Sequence, residues 1–212
     1  MTNNLTELVY ILDRSGSMAG LEGDTIGGFN ALLTKQQGLP GDARVTTVLF
    51  DDRYELLHDR LDVKAVKHIT QEEYYVRGCT ALLDAMGRTI KKVDGVMAGT
   101  APEHRPDRVL FVIITDGMEN ASRNFTAAQV QTLVSARREM GWEFMFLGAN
   151  MDAIAAAKEM GINPDLAQNY TNDPQGVAMN YQAIDYATTQ FRGVGQVPRD
   201  WSQTIKERET RK

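Results

Sequence analysis

Continuous apolar runs alternate along this chain with stretches whose apolar residues return every three or four positions. Leu8-Val9-Tyr10-Ile11-Leu12 and Val109-Leu110-Phe111-Val112-Ile113-Ile114 have the length and β-branched character of parallel strands buried on both faces. Val45 to Phe50 and Glu143 to Leu147 read as further strands. Asp51-Asp52 turns the first of these into Tyr54 to His58, which predicts an antiparallel hairpin. Leu166 to Tyr170 has the length of an edge strand.

Between the strands lie helical patterns. Leu21, Ile26, Phe29, Leu32 and Leu33 mark one face of a helix that ends near Gly38-Leu39-Pro40-Gly41. Leu82, Met86, Ile90 and Val93 follow at spacings of four, four and three within a helix from Ala81 to Val93. Asp94 to Asp107 reads as a connector and Val63 to His68 as a short helix. Thr126 and Gln129 form a capping box for a helix with Val130, Leu133 and Val134 inward. An Ala-rich helix from Asp152 to Met160 stops at Gly161. Asp173 and Pro174 then cap and open a last helix with Val177, Tyr181, Ile184 and Phe191 on one face. The predicted fold class is α/β: an open, doubly wound, mostly parallel six-stranded sheet with one antiparallel strand and helices on both faces.

The chemistry sits where the strands end. Asp13-Arg14-Ser15-Gly16-Ser17 follows the first apolar run directly, so a carboxylate and two hydroxyls at alternate positions project from the loop past its carboxyl end. Ligands of open α/β sheets bind there. Thr115-Asp116-Gly117 follows the second run, and Arg77-Gly78-Cys79-Thr80 leads into the helix between them. With both strands parallel and adjacent, Asp13, Ser15, Ser17, Thr80 and Asp116 converge on one cation. Hard oxygens without sulfur or imidazole suit Mg²⁺ or Mn²⁺ rather than Zn²⁺. Taken alone, Asp-Arg-Ser-Gly-Ser is as readily a turn whose side chains satisfy backbone amides.

Asp-x-Ser-x-Ser, Gly-x-Thr and Thr-Asp-Gly, in this order and with this approximate spacing, resemble the metal-ion-dependent adhesion site of von Willebrand factor type A (vWA) domains. The likeness runs from about residue 5 to about residue 191, and its closest type is the intracellular bacterial one. It implies a Rossmann-like vWA fold over residues 1–192, followed by a polar C-terminal tail over 193–212. It also implies direct ligation by Ser15 and Ser17, with Thr80 completing the set in a way that depends on conformational state. Asp13 and Asp116 would hold metal-bound waters and orient the hydroxyls, and Asp84, one turn beyond Thr80, is a weaker candidate for the same duty. The open metal position would take a Glu or Asp side chain from a partner protein. Analogy within the family adds an ATPase or a multiprotein complex as the setting.

Composition narrows the classes. The chain has 212 residues, 42% hydrophobic and 24% charged, enough for one sizeable core. Lys plus Arg is 23 and Asp plus Glu is 28, so the net charge is −5, which speaks against nucleic acid and leaves room only for a local basic patch. The single Cys79 excludes an internal disulfide and reads as a small packing residue. The N-terminal residues lack a targeting pattern and no apolar run reaches membrane length, so a cytoplasmic protein that does not engage a membrane is expected. Glu119 and Asn120 read as solvated loop groups. Arg192 to Lys212 is polar with mixed charge, though Val194, Val197 and Trp201 offer a way to fold back.

Enzyme readings fail on their parts. Three histidines, His58, His68 and His104, form no zinc motif, and there is no Gly-x-Ser-x-Gly elbow. The glycines at 20, 23, 27 and 28 lack the Lys-Ser/Thr ending of a phosphate loop. A metal-dependent phosphohydrolase is the strongest surviving enzyme, but a phosphotransferase loop carries a second Asp where this chain has Ser15. The expectation is a non-enzymatic, Mg²⁺-dependent protein-binding module. The alternatives are that phosphohydrolase-like enzyme and a structural α/β module with a stabilising ion.

Overall fold

A computed structural model describes residues 4–210. Residues 1–3, part of the N-terminal segment read above for targeting, and residues 211–212, the end of the tail, lie outside the described residues. Strands β1 (Leu5–Asp13), β2 (Asp42–Phe50), β3 (Tyr54–Asp62), β4 (Arg108–Thr115), β5 (Glu143–Gly148) and β6 (Ala167–Asn169) form one sheet in the order β3-β2-β1-β4-β5-β6. All neighbours are parallel except β2 and β3. The predicted α/β class, six strands with one antiparallel, is the one observed.

Alternation along β1 divides the core between the two faces. Leu8, Tyr10 and Leu12 pack with residues of α1 (Glu22–Gly38) and α5 (Pro174–Val194), while Val9 and Ile11 pack with α2 (Leu82–Gly99), α3 (Ala127–Arg138) and α4 (Ala153–Glu159). Eight of nine β1 residues are buried, which is why the strand reads as an unbroken apolar run. Helix α1 lies close on α5 because Gly28 has no side chain: a Cβ there would stand 2.3 Å from the Tyr181 ring.

Three local expectations need correction. Helix α2 does not stop at Val93 but runs to Gly99, since Met97 extends the apolar face by one more turn and is buried. The expected connector shrinks accordingly, and a single 3-10 turn occupies Pro102–His104. Val63 to His68 forms only a 3-10 turn over Val63–Ala65.

The C-terminal stretch read as a polar tail folds back. Trp201 is 2% exposed, its Nε1 donates to the Asp165 carbonyl at 2.9 Å, and α6 (Gln203–Glu209) buries Ile205 in the same core as α5. Two apolar side chains four residues apart anchor the stretch, and Arg208 and Glu209 turn inward to Asp173 and Thr171. Val197 packs partly against this core, whereas Val194 stays exposed.

Candidate metal centre

The strand order reverses at β1, with β2 on one side and β4 on the other, and three loops meet past the carboxyl ends of these strands. They are stitched together by backbone bonds. Gly16 N–H donates to the Gly78 carbonyl at 3.2 Å, Arg77 N–H to the Arg14 carbonyl at 2.9 Å, and the Asn120 and Ala121 amides to the Thr80 carbonyl. Asn120 Oδ1 accepts from Thr80 N–H at 2.9 Å in return. Asn120 therefore holds the Thr80 loop and is more than the solvated group its sequence context suggests.

All five predicted residues come together. Asp13 closes β1, and its Oδ1 accepts from Ser15 N–H at 2.6 Å. Its Oδ2 accepts from Thr115 Oγ1 at 2.6 Å. Thr80 Oγ1 donates to Ser15 Oγ at 3.0 Å, Ser15 Oγ and Ser17 Oγ are 3.1 Å apart, and Ser17 Oγ donates to Asp116 Oδ1 at 2.5 Å. Asp13, Ser15, Thr80 and Asp116 are buried; Ser17 is exposed and forms the outward side of the cluster. Burial pushes the Asp13 carboxyl up to about 6, against the hydrogen bonds from Thr115 and Ser15 that favour its charged form. Burial raises Asp116 as well.

Two features of the donor set are compatible with a small hard cation. An octahedral shell at about 2.0–2.1 Å places neighbouring ligand oxygens about 2.9 Å apart. The Thr80–Ser15 and Ser15–Ser17 separations, 3.0 and 3.1 Å, are near that edge length. Gly117 supplies the second: a Cβ there would stand 3.1 Å from Ser17 Oγ and 3.2 Å from Thr80 Oγ1. Among the described residues no group of three or more His, Cys, Asp or Glu side chains is placed to hold a metal. Any cation here must therefore rely on neutral hydroxyls beside two carboxylates.

Several supporting residues escape a reading of the sequence. Thr115, within the Thr-Asp-Gly triplet, is the last residue of β4 and orients Asp13. Asn172 Nδ2 donates to Asp116 Oδ2 at 2.9 Å from the segment before α5, and nothing in the chain signals that contact across 56 positions. Tyr74 OH donates to the Asp13 carbonyl at 2.6 Å.

Asp84 is not part of the cluster. Its two oxygens accept from Arg123 N, Asn124 N, Asn124 Nδ2 and Phe125 N, so it organises the loop after Asp116 instead. Burial pushes its carboxyl up, and these donors outweigh burial and hold it below the ordinary range. Glu119 is also structural, accepting from the Leu83, Ala121 and Ser122 amides. Cys79 is exposed rather than packed.

This arrangement of sheet, helices and carboxyl-end loops is the von Willebrand factor type A fold. A vWA protein from Catenulispora acidiphila superimposes with a TM-score of 0.54 at 14% identity, over 87% of this chain and 42% of that one. The PilB minor pilin from Streptococcus sanguinis matches with a TM-score of 0.63 at 10% identity, over 90% of this chain and 62% of its own. Proximal thread matrix protein 1 from the mussel byssus, described with a zinc-occupied MIDAS motif, matches at 0.56 and 12% identity, over 87% of this chain and 46% of its own. The chain thus spans less than two thirds of the length of each of these structures. No protein-family model and no curated protein matches the sequence.

Proposed function

We propose that this protein is a metal-dependent, adhesion-type binding module that grips an acidic side chain of a partner protein. The observation that carries the reading is the cluster of hydroxyls in which Ser15 Oγ lies 3.0 Å from Thr80 Oγ1 and 3.1 Å from Ser17 Oγ, beside two buried carboxylates and close to Gly117. In this reading Ser15, Ser17 and Thr80 ligate Mg²⁺, or Mn²⁺ in its place, while Asp13 and Asp116 orient the hydroxyls and bound water. The bound cation, balanced by only two carboxylates, supplies an electrophilic position for an external Glu or Asp carboxylate.

The chain's own residues set the rest. Thr115 and Ser15 N–H fix both Asp13 oxygens, and Asn172 fixes one of Asp116, so neither carboxylate swings freely. Met118, 67% exposed directly after Gly117, offers apolar contact area next to the site. The zinc described in the byssus protein's MIDAS motif supports a divalent cation on this framework. The all-oxygen donors here favour Mg²⁺ or Mn²⁺.

The role proposed is binding, not catalysis. Ser15 stands where a phosphotransferase loop would carry a second Asp, so Asp13 lacks that partner carboxylate. No helix among the described residues is long and apolar enough to cross a membrane. A cytoplasmic setting beside an ATPase or within a multiprotein complex belongs to the same proposal, with neither nucleic acid nor a membrane as partner.

Calorimetric titration of Mg²⁺, Mn²⁺ and Zn²⁺ into the wild type and Ser15→Ala/Ser17→Ala tests it. Divalent binding by the wild type, lost in a folded double variant, is the expected result. Binding retained in the variant, or absent from the wild type even with a glutamate-bearing peptide present, would leave the structural-module reading.

A further inference from the structure

Gly78, Cys79 and Ala81, which flank Thr80, also line a cleft of about 560 Å³ beside the hydroxyl cluster. Its other walls come from the turn between β2 and β3, from α2, and from the loop after Asp116, and these contribute Arg53, Arg88 and Arg123. All three arginines are exposed, and none makes an ion pair among the described residues. Arg88 is held in place by the Tyr54 ring, with 5.0 Å between its guanidinium carbon and the ring centroid.

The nearby acidic groups offset this charge only in part and pair with none of the three. Asp84 spends both oxygens on four inward-facing N–H donors. Asp84 keeps its charge but has no oxygen left for an arginine, so with Asp52 the cleft lining holds three arginines against two carboxylates, a net positive concavity in a chain whose net charge is −5. Arg14 and Arg77, the other arginines near these loops, are committed to Asp51. Three arginines without an ion-pair partner around one concavity give it the charge that an anionic group would meet.

We propose that this cleft receives a second carboxylate from the same partner segment that meets the metal. The docking segment is an acidic peptide with two carboxylates, one directed to the Ser15–Ser17–Thr80 cluster and the other paired with Arg53 and Arg88. The inference rests on the binding function proposed above and adds what selects the partner. A lone surface glutamate would satisfy the cation, whereas only a correctly spaced pair would also satisfy the forked guanidinium donors.

The test titrates ¹⁵N-labelled protein with capped glycine peptides carrying one glutamate, or two glutamates separated by zero to four glycines. Arginine Nε–H resonances report on the cleft and the Gly117 amide on the metal cluster. With Mg²⁺ present, one spacing should bind at least about tenfold tighter than the single-glutamate peptide. Arg53→Gln/Arg88→Gln should remove that advantage and leave the single-glutamate and Mg²⁺ affinities unchanged. Equal binding of every peptide, an advantage that survives the substitution, or no response to any peptide overturns the proposal. If the paired peptides bind equally in Mg²⁺ and in EDTA, yet lose their advantage in the arginine variant, the cleft is supported and the metal reading alone falls.

Discussion

Arg14 Nε donates to Asp51 Oδ2 at 2.9 Å, with both side chains wholly shielded from solvent. The same guanidinium reaches Glu55 Oε2 at 2.6 Å and the Glu73 carbonyl at 3.0 Å, while Arg77 Nε meets the shared Asp51 oxygen at 2.7 Å. Arg14 stands between Asp13 and Ser15 in sequence, so it ties the metal loop to the β2–β3 hairpin and to the segment before Thr80. Burial raises the Asp51 carboxyl, but Arg77, the Arg53 amide and Arg14 together hold it below its ordinary range. Removing one partner of a buried pair exposes the desolvation cost of the other.

Arg14→Ala should therefore cost about 3 kcal/mol of stability in urea denaturation and weaken Mg²⁺ binding as the loop loosens. Arg14→Lys should recover little, because a point charge cannot serve three acceptors in a fixed fork. A loss below about 1 kcal/mol would mean that Arg77 alone sustains Asp51.

Gly117→Ala separates the cation site from the fold. Its φ is not in the left-handed range, so the added methyl meets only the Ser17 and Thr80 hydroxyls, at 3.1 and 3.2 Å. Stability should change by less than about 1 kcal/mol, whereas divalent affinity should fall at least about tenfold. Calorimetry beside a thermal melt decides it; unchanged affinity would place the ion away from the three hydroxyls.

The central strands and the five converging residues were legible because each rests on a short-range signal. An unbroken apolar run marks a strand buried on both faces, and polar residues directly past its end mark the loop. The supports were not legible. Asn172 reaches Asp116 from a segment 56 positions away, beside Asp173, which Arg208 of α6 holds at 2.6 Å, and neither contact has a local signal. Asp84 looked like a cluster member by helical spacing from Thr80, but spacing does not reveal that four donors of a distant loop would claim its oxygens. Arg14 gave no sign of burial, since its partners at 51, 55 and 73 are set by the hairpin's placement.

Trp201→Ala tests how firmly the C-terminal stretch is docked. The indole is 2% exposed and its N–H is satisfied by Asp165. Truncation should cost about 3–5 kcal/mol, the range for a buried aromatic. Arg208→Ala, which removes a partly exposed ion pair with Asp173, should cost no more than about 1 kcal/mol. Equal, small losses in both variants, measured by denaturant titration, would show that α6 is only loosely attached.

Asp13 makes stability and metal affinity respond to pH in opposite directions. Its folded carboxyl is raised to about 6 from an ordinary value of 3.8. Between those limits the folded protein binds more protons than the unfolded chain, so without metal its stability falls as pH rises through the window. That fall is at most about 3 kcal/mol from this group. A divalent cation stabilises the ionised carboxylate and must displace the proton, so Mg²⁺ affinity should rise about tenfold per pH unit up to about pH 6 and then level off. Asp13→Asn keeps the Ser15 bond through its amide oxygen and must reverse the Thr115 bond, but it has no proton to exchange, which makes the slope, and not the absolute stability, the informative readout. Denaturation of both proteins in EDTA from pH 4 to 7 should show the wild-type decline flattened in the variant. Parallel curves would place the titrating group elsewhere, with Asp116, also raised by burial, the next to replace.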